Sequence, residues 1–293
     1  MQYSDLLSAR FCAQHLSSSG TLQRVLGLCA AVAICGLLSS ATVIADSTGT
    51  PIDPEKLKLT FSEEFDTLDV SAWGPGTRWI AHTPWSGDYG GARFGDPGEN
   101  SPFSTDSGIL RIEATRDEAG NWRSGLLASV DRKGVGFSQK YGYFEMRAQL
   151  PEGAGVWPAF WLVGRDRSKA TAEIDILEYY GDKPGAYSSV VHVWHKNGEH
   201  YSKGNRNEVF AEAQPSDFHT YGVKVDKEFI RMYFDRKLVW TTPTQPEHRQ
   251  PLFILLNLAL VDGTSNIMTP DPSHMFVDYV RAYALEADNT ARP

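Results

Sequence analysis

The sequence predicts an all-β domain, built either as two packed sheets or as a barrel. Three observations predict it. Beyond about residue 58 the chain runs as short apolar and aromatic stretches punctuated by Gly, Pro, Asp and Asn. No stretch keeps a helical period for more than a turn or two, and ten strand candidates fall in one region. No internal repeat or low-complexity linker divides that region, so residues 58–287 read as a single domain, with a short lead at 46–57 and a tail at 288–293.

The first 45 residues read as a processing segment. Arg10 and Arg24 supply a positive n-region, Val25 to Leu38 an apolar run, and Val43-Ile44-Ala45 a cleavage site before Asp46. The apolar run is short for a membrane span. The expectation is therefore a cleaved signal peptide and a secreted protein, extracellular or periplasmic, with a retained N-terminal anchor as the alternative. Cys12, Cys29 and Cys35 all lie in this segment, so the remaining 248 residues carry no cysteine and rely on their core for stability.

The strand candidates follow in order. Gly108 to Thr115, Arg123 to Val130, Tyr141 to Leu150, Val156 to Val163 and Thr171 to Tyr180 are rich in aromatic and β-branched residues. Ser188 to Trp194, His219 to Val225, Phe229 to Phe234, Leu252 to Leu258 and Phe276 to Leu285 complete the set. Between Trp73 and Phe103 alternation is lost, and Gly, Pro and Asp dominate around Trp79, Trp85, Asp88 and Tyr89. That segment reads as long loops, a common place for ligand-gripping aromatics or for a surface loop that packs its own rings.

Charge excludes one class of partner. Without Arg10, Arg24 and Asp5 the chain holds 26 basic and 35 acidic residues, a net charge of −9. It lacks the cations whose counterion release drives binding to a phosphate backbone; the longest basic cluster is Arg165-Asp166-Arg167. The same balance disfavours a densely anionic polysaccharide. No nucleophile-elbow serine, phosphate loop or His-Glu-x-x-His is present. His192 and His195, three apart on a strand, turn to opposite faces and do not form a metal pair.

The segment Ala172 to Tyr180 carries the chemistry. Glu173, Asp175 and Glu178 interrupt a run that otherwise reads as a buried strand, where acids repel one another and lose hydration. Alternation puts Glu173 and Asp175 on one face and Glu178 on the other. One β-bulge between Asp175 and Glu178 restores all three to one side. Two glutamates so placed can approach the roughly 5–5.5 Å that a retaining glycosidase needs, with Asp175 between them raising their proton affinity. A wet strand edge is the alternative for the same residues. Upstream, Trp157, Ala159 and Trp161 share a face that suits sugar stacking or a core. On the Tyr141 to Leu150 strand, Glu145 and Arg147 belong to a polar face that either lines a cleft or forms an exposed ion pair.

These residues together resemble glycoside hydrolase family 16, the β-jelly-roll endo-glycanases. The resemblance spans about Phe61 to Leu285 and rests on Phe-Ser-Glu-Glu-Phe-Asp, Lys-Tyr-Gly-Tyr-Phe-Glu-Met-Arg, Val-Trp-Pro-Ala-Phe-Trp-Leu, Glu-Ile-Asp-Ile-Leu-Glu-Tyr and Pro-Leu-Phe-Ile-Leu-Leu-Asn-Leu-Ala. It implies a sandwich of two antiparallel sheets with a concave catalytic cleft. It further implies Glu173 as nucleophile, Asp175 as its orienting partner and Glu178 as acid/base. Trp157, Trp161, Glu145, Arg147, His192, Asn257 and Trp85 are the implied substrate contacts. The separation of the glutamates is similar to the bulged, laminarinase-like branch, and the loop Trp85 to Gly91 resembles bacterial exopolysaccharide (succinoglycan) depolymerases. The expected activity is retaining endo-hydrolysis of a β-glucan or exopolysaccharide by a monomer. A glycan-binding lectin-like module and a transglycosylase are the alternatives. No cofactor is expected for the chemistry; a structural Ca2+ at Glu63 and Asp278 is implied by resemblance alone.

Overall fold

The computed structural model describes residues 51–285, Ser86 excepted. The expected leader with its three cysteines and the tail at 288–293 lie outside the described residues. The strands, in chain order, are β1 (Lys58–Glu63), β2 (Val70–Ser71), β3 (Trp79–Ile80), β4 (Arg93–Phe94), β5 (Phe103–Asp106), β6 (Ile109–Arg116), β7 (Trp122–Ser124), β8 (Leu126–Ala128) and β9 (Gly142–Gln149). They continue as β10 (Val156–Gly164), β11 (Ala170–Tyr179), β12 (Tyr187–His195), β13 (His200–Asn207), β14 (His219–Val225), β15 (Phe229–Phe234), β16 (Lys237–Pro243), β17 (Leu252–Leu260) and β18 (Ser273–Ala284).

Two sheets form. The first has the order β16-β15-β14-β9-β18-β6-β7-β4, with β1 beside β18 and β5 beside β6. The second has the order β13-β12-β11-β10-β17-β8-β3-β2. Alternation explains their stacking: Phe144, Met146 and Ala148 of β9 and Val280 and Ala282 of β18 enter the same core as Phe160 and Leu162 of β10, Ile174 and Ile176 of β11, and Ile254 and Leu256 of β17. Each fully covered aliphatic or aromatic side chain there contributes about 1.5–3 kcal/mol. The expected barrel alternative is absent, because neither sheet closes on itself.

The second sheet is also covered on its outer face. Leu126, Ala159, Trp161, Val163, Phe253, Leu255 and Ala259 form a separate apolar cluster there with Ile80 and Phe94, and Trp85, Tyr89 and Trp157 pack against it. Central strand β17 is consequently buried along its whole length, which is why its sequence is a nearly unbroken apolar run. The segment between Trp73 and Phe103 supplies much of this cover and contains β3 and β4 rather than loops alone. Gly90 makes its approach possible: its φ is +71°, and a Cβ there would stand 2.4 Å from the Leu260 carbonyl oxygen.

Several expectations are corrected. The sheets are mixed rather than purely antiparallel, because β2/β3 and β4/β7 pair in parallel; both pairs consist of very short strands. The single strand expected at Arg123 to Val130 is two, β7 in the first sheet and β8 in the second. The break falls at Gly125, where a Cβ would meet the Phe103 ring at 2.4 Å. Edge strand β13 escapes sequence reading because it is polar and largely exposed, as edges that resist further pairing commonly are.

Candidate active site

The bulge that the acid spacing demands is present. Strand β11 pairs with β12 through Glu173↔His192 and Asp175↔Val190, then slips and resumes at Glu178↔Ser188. Against β10 the same slip falls between Trp161↔Asp175 and Phe160↔Leu177. Ile176 and Leu177 both enter the core, so Glu173, Asp175 and Glu178 share the outer face.

A polar chain holds the bulge from behind. Ser189 Oγ donates to the Ile176 carbonyl at 2.8 Å, Asn207 Nδ2 donates to Ser189 Oγ at 2.8 Å, and Asn205 Nδ2 donates to Asn207 Oδ1 at 2.7 Å. Ser189 and Asn207 are buried, and the bulge's extra carbonyl is thereby satisfied rather than stranded. From the short 3-10 turn Pro246–His248, buried His248 places Nε2 3.0 Å from the Glu173 carbonyl.

Each acid has its own surroundings. Glu178 accepts from Trp157 Nε1 and from the Tyr180 hydroxyl, both at 3.2 Å and both on Oε1; Oε2 is left to carry a proton. Trp157 and Tyr180 stack on each other with centroids 5.5 Å apart. Asp175 lies 3.3 Å from His192 Nε2, and His192 Nδ1 meets His200 Nε2 at 2.8 Å. His200 in turn stacks on Trp194 at 3.5 Å. Burial first, then His200 and His248, lower the His192 pKa to about 4. The imidazole is therefore neutral at neutral pH, and its approach to Asp175 is a close polar contact rather than a full ion pair.

Burial raises the pKa of all three acids, and this is the largest cause for each. Glu173 is pushed up to about 7, with the Glu178 charge adding to burial and Arg167 opposing it. Trp194 also opposes the rise, although its indole N–H stops short of a full hydrogen bond. Asp175 is raised by burial and by both glutamates. Glu178 is raised by burial and eased by Tyr180 and Trp157. Three acids on one covered face thus bind protons more tightly than free carboxylates do and titrate as a set.

An aromatic wall stands beside the acids. Tyr89 meets Trp157 and Trp161 edge-on at 5.7 and 6.1 Å, and Trp85 meets Trp161 at 6.1 Å. Asn257 is fully buried beneath this wall, accepting from the Tyr89 hydroxyl at 2.7 Å and from Trp161 Nε1 at 2.9 Å. It positions the rings and does not itself reach the surface. The structure brings Glu173, Asp175, Glu178, Trp157, Trp161, His192 and Trp85 to the same face of the second sheet.

Four expected site residues lie elsewhere. Glu145 and Arg147 sit on β9 in the first sheet, on the face opposite Phe144 and Met146. Glu145 is fully buried and accepts from Arg236, Tyr143 and Tyr279; Arg147 pairs with Asp278. Their polar face was legible, but the sheet carrying it is not the sheet of the acids. Glu63 and Asp278 do not suit a calcium ion. The Glu63 carboxylate accepts from Trp79 Nε1 and Phe65 N and pairs with Arg78, while Asp278 takes Arg147, so each acid already faces donors or cations. Among the described residues the convergent metal-capable group is Glu173, Asp175 and His192, with donor atoms within 4.8 Å, and these belong to the acid row itself.

Sequence reading of the site missed Tyr180, Trp194 and His200. Tyr180 is two residues beyond Glu178, and Trp194 two beyond His192, so alternation contained the signal for both. His200 arrives on β13, which had no strand signal.

Fold and site together define a two-sheet β-jelly-roll protein with a row of acids on the outer face of one sheet beside stacked aromatics. The chain belongs to the glycosyl hydrolases family 16, whose sequence profile matches residues 99–275. It is 35% identical over 261 residues to the endo-1,3-1,4-beta-glycanase ExsH of Rhizobium meliloti (strain 1021), covering 81% of this chain and 54% of that protein. It is 31% identical over 258 residues to a beta-glucanase of Rhodothermus marinus, covering 77% of this chain and 85% of that protein. A solved structure of SCLam, a non-specific endo-beta-1,3(4)-glucanase, superposes with a TM-score of 0.65 at 25% identity, covering 80% of this chain and 94% of that one. The chain spans about half the length of ExsH and of the endo-1,3-1,4-beta-glycanase EglC from the same organism.

Proposed function

We propose that this protein is an endo-acting β-glycanase that hydrolyses a β-glucan or bacterial exopolysaccharide with retention of configuration. The observation that carries the reading is the propped bulge that aligns Glu173, Asp175 and Glu178 beside the Trp157–Tyr180 stack. The activities that name its relatives, among them endo-1,3-1,4-beta-glycanase and beta-glucanase, support the same substrate class.

In the first step Glu173 attacks the anomeric carbon as Glu178 gives a proton to the departing glycosidic oxygen. The C–O bond of the leaving sugar breaks and a glycosyl ester forms on Glu173. Glu178, now ionised and steadied on Oε1 by Trp157 and Tyr180, then takes a proton from water. That water attacks the same carbon and releases Glu173. Asp175, held against His192 and binding its proton tightly, orients Glu173 from between the two glutamates. The whole reaction is carried by side chains.

Glu173→Gln is expected to lower release of new reducing ends by about 10³-fold or more, with an unchanged far-ultraviolet circular dichroism spectrum. Wild-type turnover in that variant sinks the assignment. We further propose export with cleavage after Ala45 and a monomeric mature enzyme; the intact mass of the protein recovered outside the cytoplasm checks the first and its sedimentation the second.

A further inference from the structure

One basic cluster stands out in a chain whose net charge is −8. Arg132, Lys133, Arg165 and Arg167 line a cavity of about 210 Å³ together with Pro84, Gly134 and Phe253. The cations come from separate stretches: the turn after Val130, and the residues that follow β10. Bringing four like charges together costs free energy unless an anion shares the site.

Its place in the fold ties it to the acid row. Along β10 the residues Trp157, Ala159, Trp161 and Val163 alternate onto the outer face, and Arg165 continues that series two residues on, about 6–7 Å beyond Val163. Val163 is the register partner of Glu173 on one side and of Phe253 on the other. Trp85 touches both Trp161 and Phe253 edge-on, and the Arg167 guanidinium lies over the Trp85 ring at 4.0 Å. The aromatic wall thus runs without a break from the acids into the basic cavity.

Arg167 already acts on Glu173 and lies over Trp85, whereas the other three cations are not spent on carboxylates. Among the described residues no carboxylate forms an ion pair with Arg132, Lys133 or Arg165; Arg132 lies over Trp73 at 5.1 Å. The acid in the cavity wall, Asp131, is buried and accepts from the backbone N–H of Lys133 and of Val135. Asp166, between the two arginines, accepts from the Ser168 N–H. The cavity is smaller than the ~300–1,000 Å³ that holds a whole small ligand, so it fits a substituent on a glycan rather than its backbone.

We propose that this cavity is a subsite for an oxyanion-bearing substituent, a carboxylate or a sulfate ester, on the polysaccharide lying across the acid row. The inference rests on the glycanase reading above. A globally acidic chain disfavours a densely charged polymer, whereas one local cluster accepts an isolated charge. Phe253 on the floor meets the apolar part of the substituent while the guanidinium and ammonium groups take its oxygens.

The test separates binding from turnover. Neutral, carboxylated and sulfated β-glucan oligosaccharides are titrated calorimetrically into Glu173→Gln and into the same protein carrying Lys133→Gln and Arg165→Gln. Loss of the two cations is expected to weaken binding of at least one charged oligosaccharide about tenfold, to change the neutral one less than twofold, and to leave the melting temperature in place. The charged preference of the parent is expected to fade between about 0.02 and 0.5 M salt. A sulfated or a carboxylated ligand losing affinity alone identifies which oxyanion the subsite takes. An unchanged ratio of charged to neutral affinity overturns the subsite. Turnover of neutral β-glucan by the wild-type protein tests the glycanase reading separately, so the two can fail independently.

Discussion

Glu173 carries a stability cost that depends on pH. Its pKa is held up at about 7 against an ordinary 4.5, so between those values the folded protein binds more protons than the unfolded chain. Stability through this group is therefore fully present below about pH 4.5, falls as pH rises through the window, and stays at its lower level above about pH 7. The difference is on the order of 3 kcal/mol. Glu173→Gln is expected to melt above the wild type at about pH 8, with the gap closing toward pH 4.5; scanning calorimetry across that range checks it, and a gap independent of pH refutes it. The acid row is thus strained in favour of chemistry, as buried acids at working sites commonly are. It was also the most legible part of the site. Three acids in an apolar run have few structural explanations, and the parity of their spacing required the bulge before any fold was known.

At the scale of elements the bulge on β11 is the device that matters, and β12 and β13 hold it. Ser189→Ala leaves the Ile176 carbonyl and Asn207 Nδ2 buried without their partner, a loss of about 1–3 kcal/mol. The variant is expected to lose stability in chemical denaturation and to show a lower kcat with a little-changed KM, because the aromatic wall of Trp157, Trp161, Tyr89 and Trp85 is untouched while the acids lose alignment. An unaltered kcat would mean that the bulge holds its shape without the relay. This support was not legible: Ser189 and Asn207 are ordinary polar residues until pairing sets them behind Ile176. The polar face of β9 misled for a related reason. Alternation shows that Glu145 and Arg147 point one way, but not which sheet their strand joins.

The whole molecule divides its tasks between two sheets. The second sheet carries the acids, the aromatic wall and the basic cavity; the first carries a polar cluster in which Glu145 is fully buried and receives Arg236, Tyr143 and Tyr279. Arg236 reaches it from the tight turn between β15 and β16, where Asp235 and Arg236 take φ values of 46° and 62°, the left-handed backbone whose twist matches the right-handed twist of the flanking strands. Arg236→Met leaves a buried carboxylate with only two hydroxyl donors. The partial exposure of the guanidinium reduces the penalty for breaking a buried pair to about 2–4 kcal/mol. A lower melting temperature is expected with kcat unchanged within about twofold, and a selective loss of kcat would show that the first sheet also serves the chemistry.

From the residues alone came the all-β class, the strand that bears the acids, the bulge within it, and the shared face of Trp157 and Trp161. These depend on local periodicity, which a β-strand writes into its sequence at every second residue. The tertiary structure alone decided that Glu145 stands apart from Glu173, that Asn257 lies beneath the rings, and that Arg165 and Arg167 meet Arg132 and Lys133. Those facts depend on sheet order and on where β13, the segment between Trp73 and Phe103 and the turn at Asp131 come to rest. Such long-range placements arise from burial of whole faces against one another, a property of the assembled sandwich that no single strand encodes.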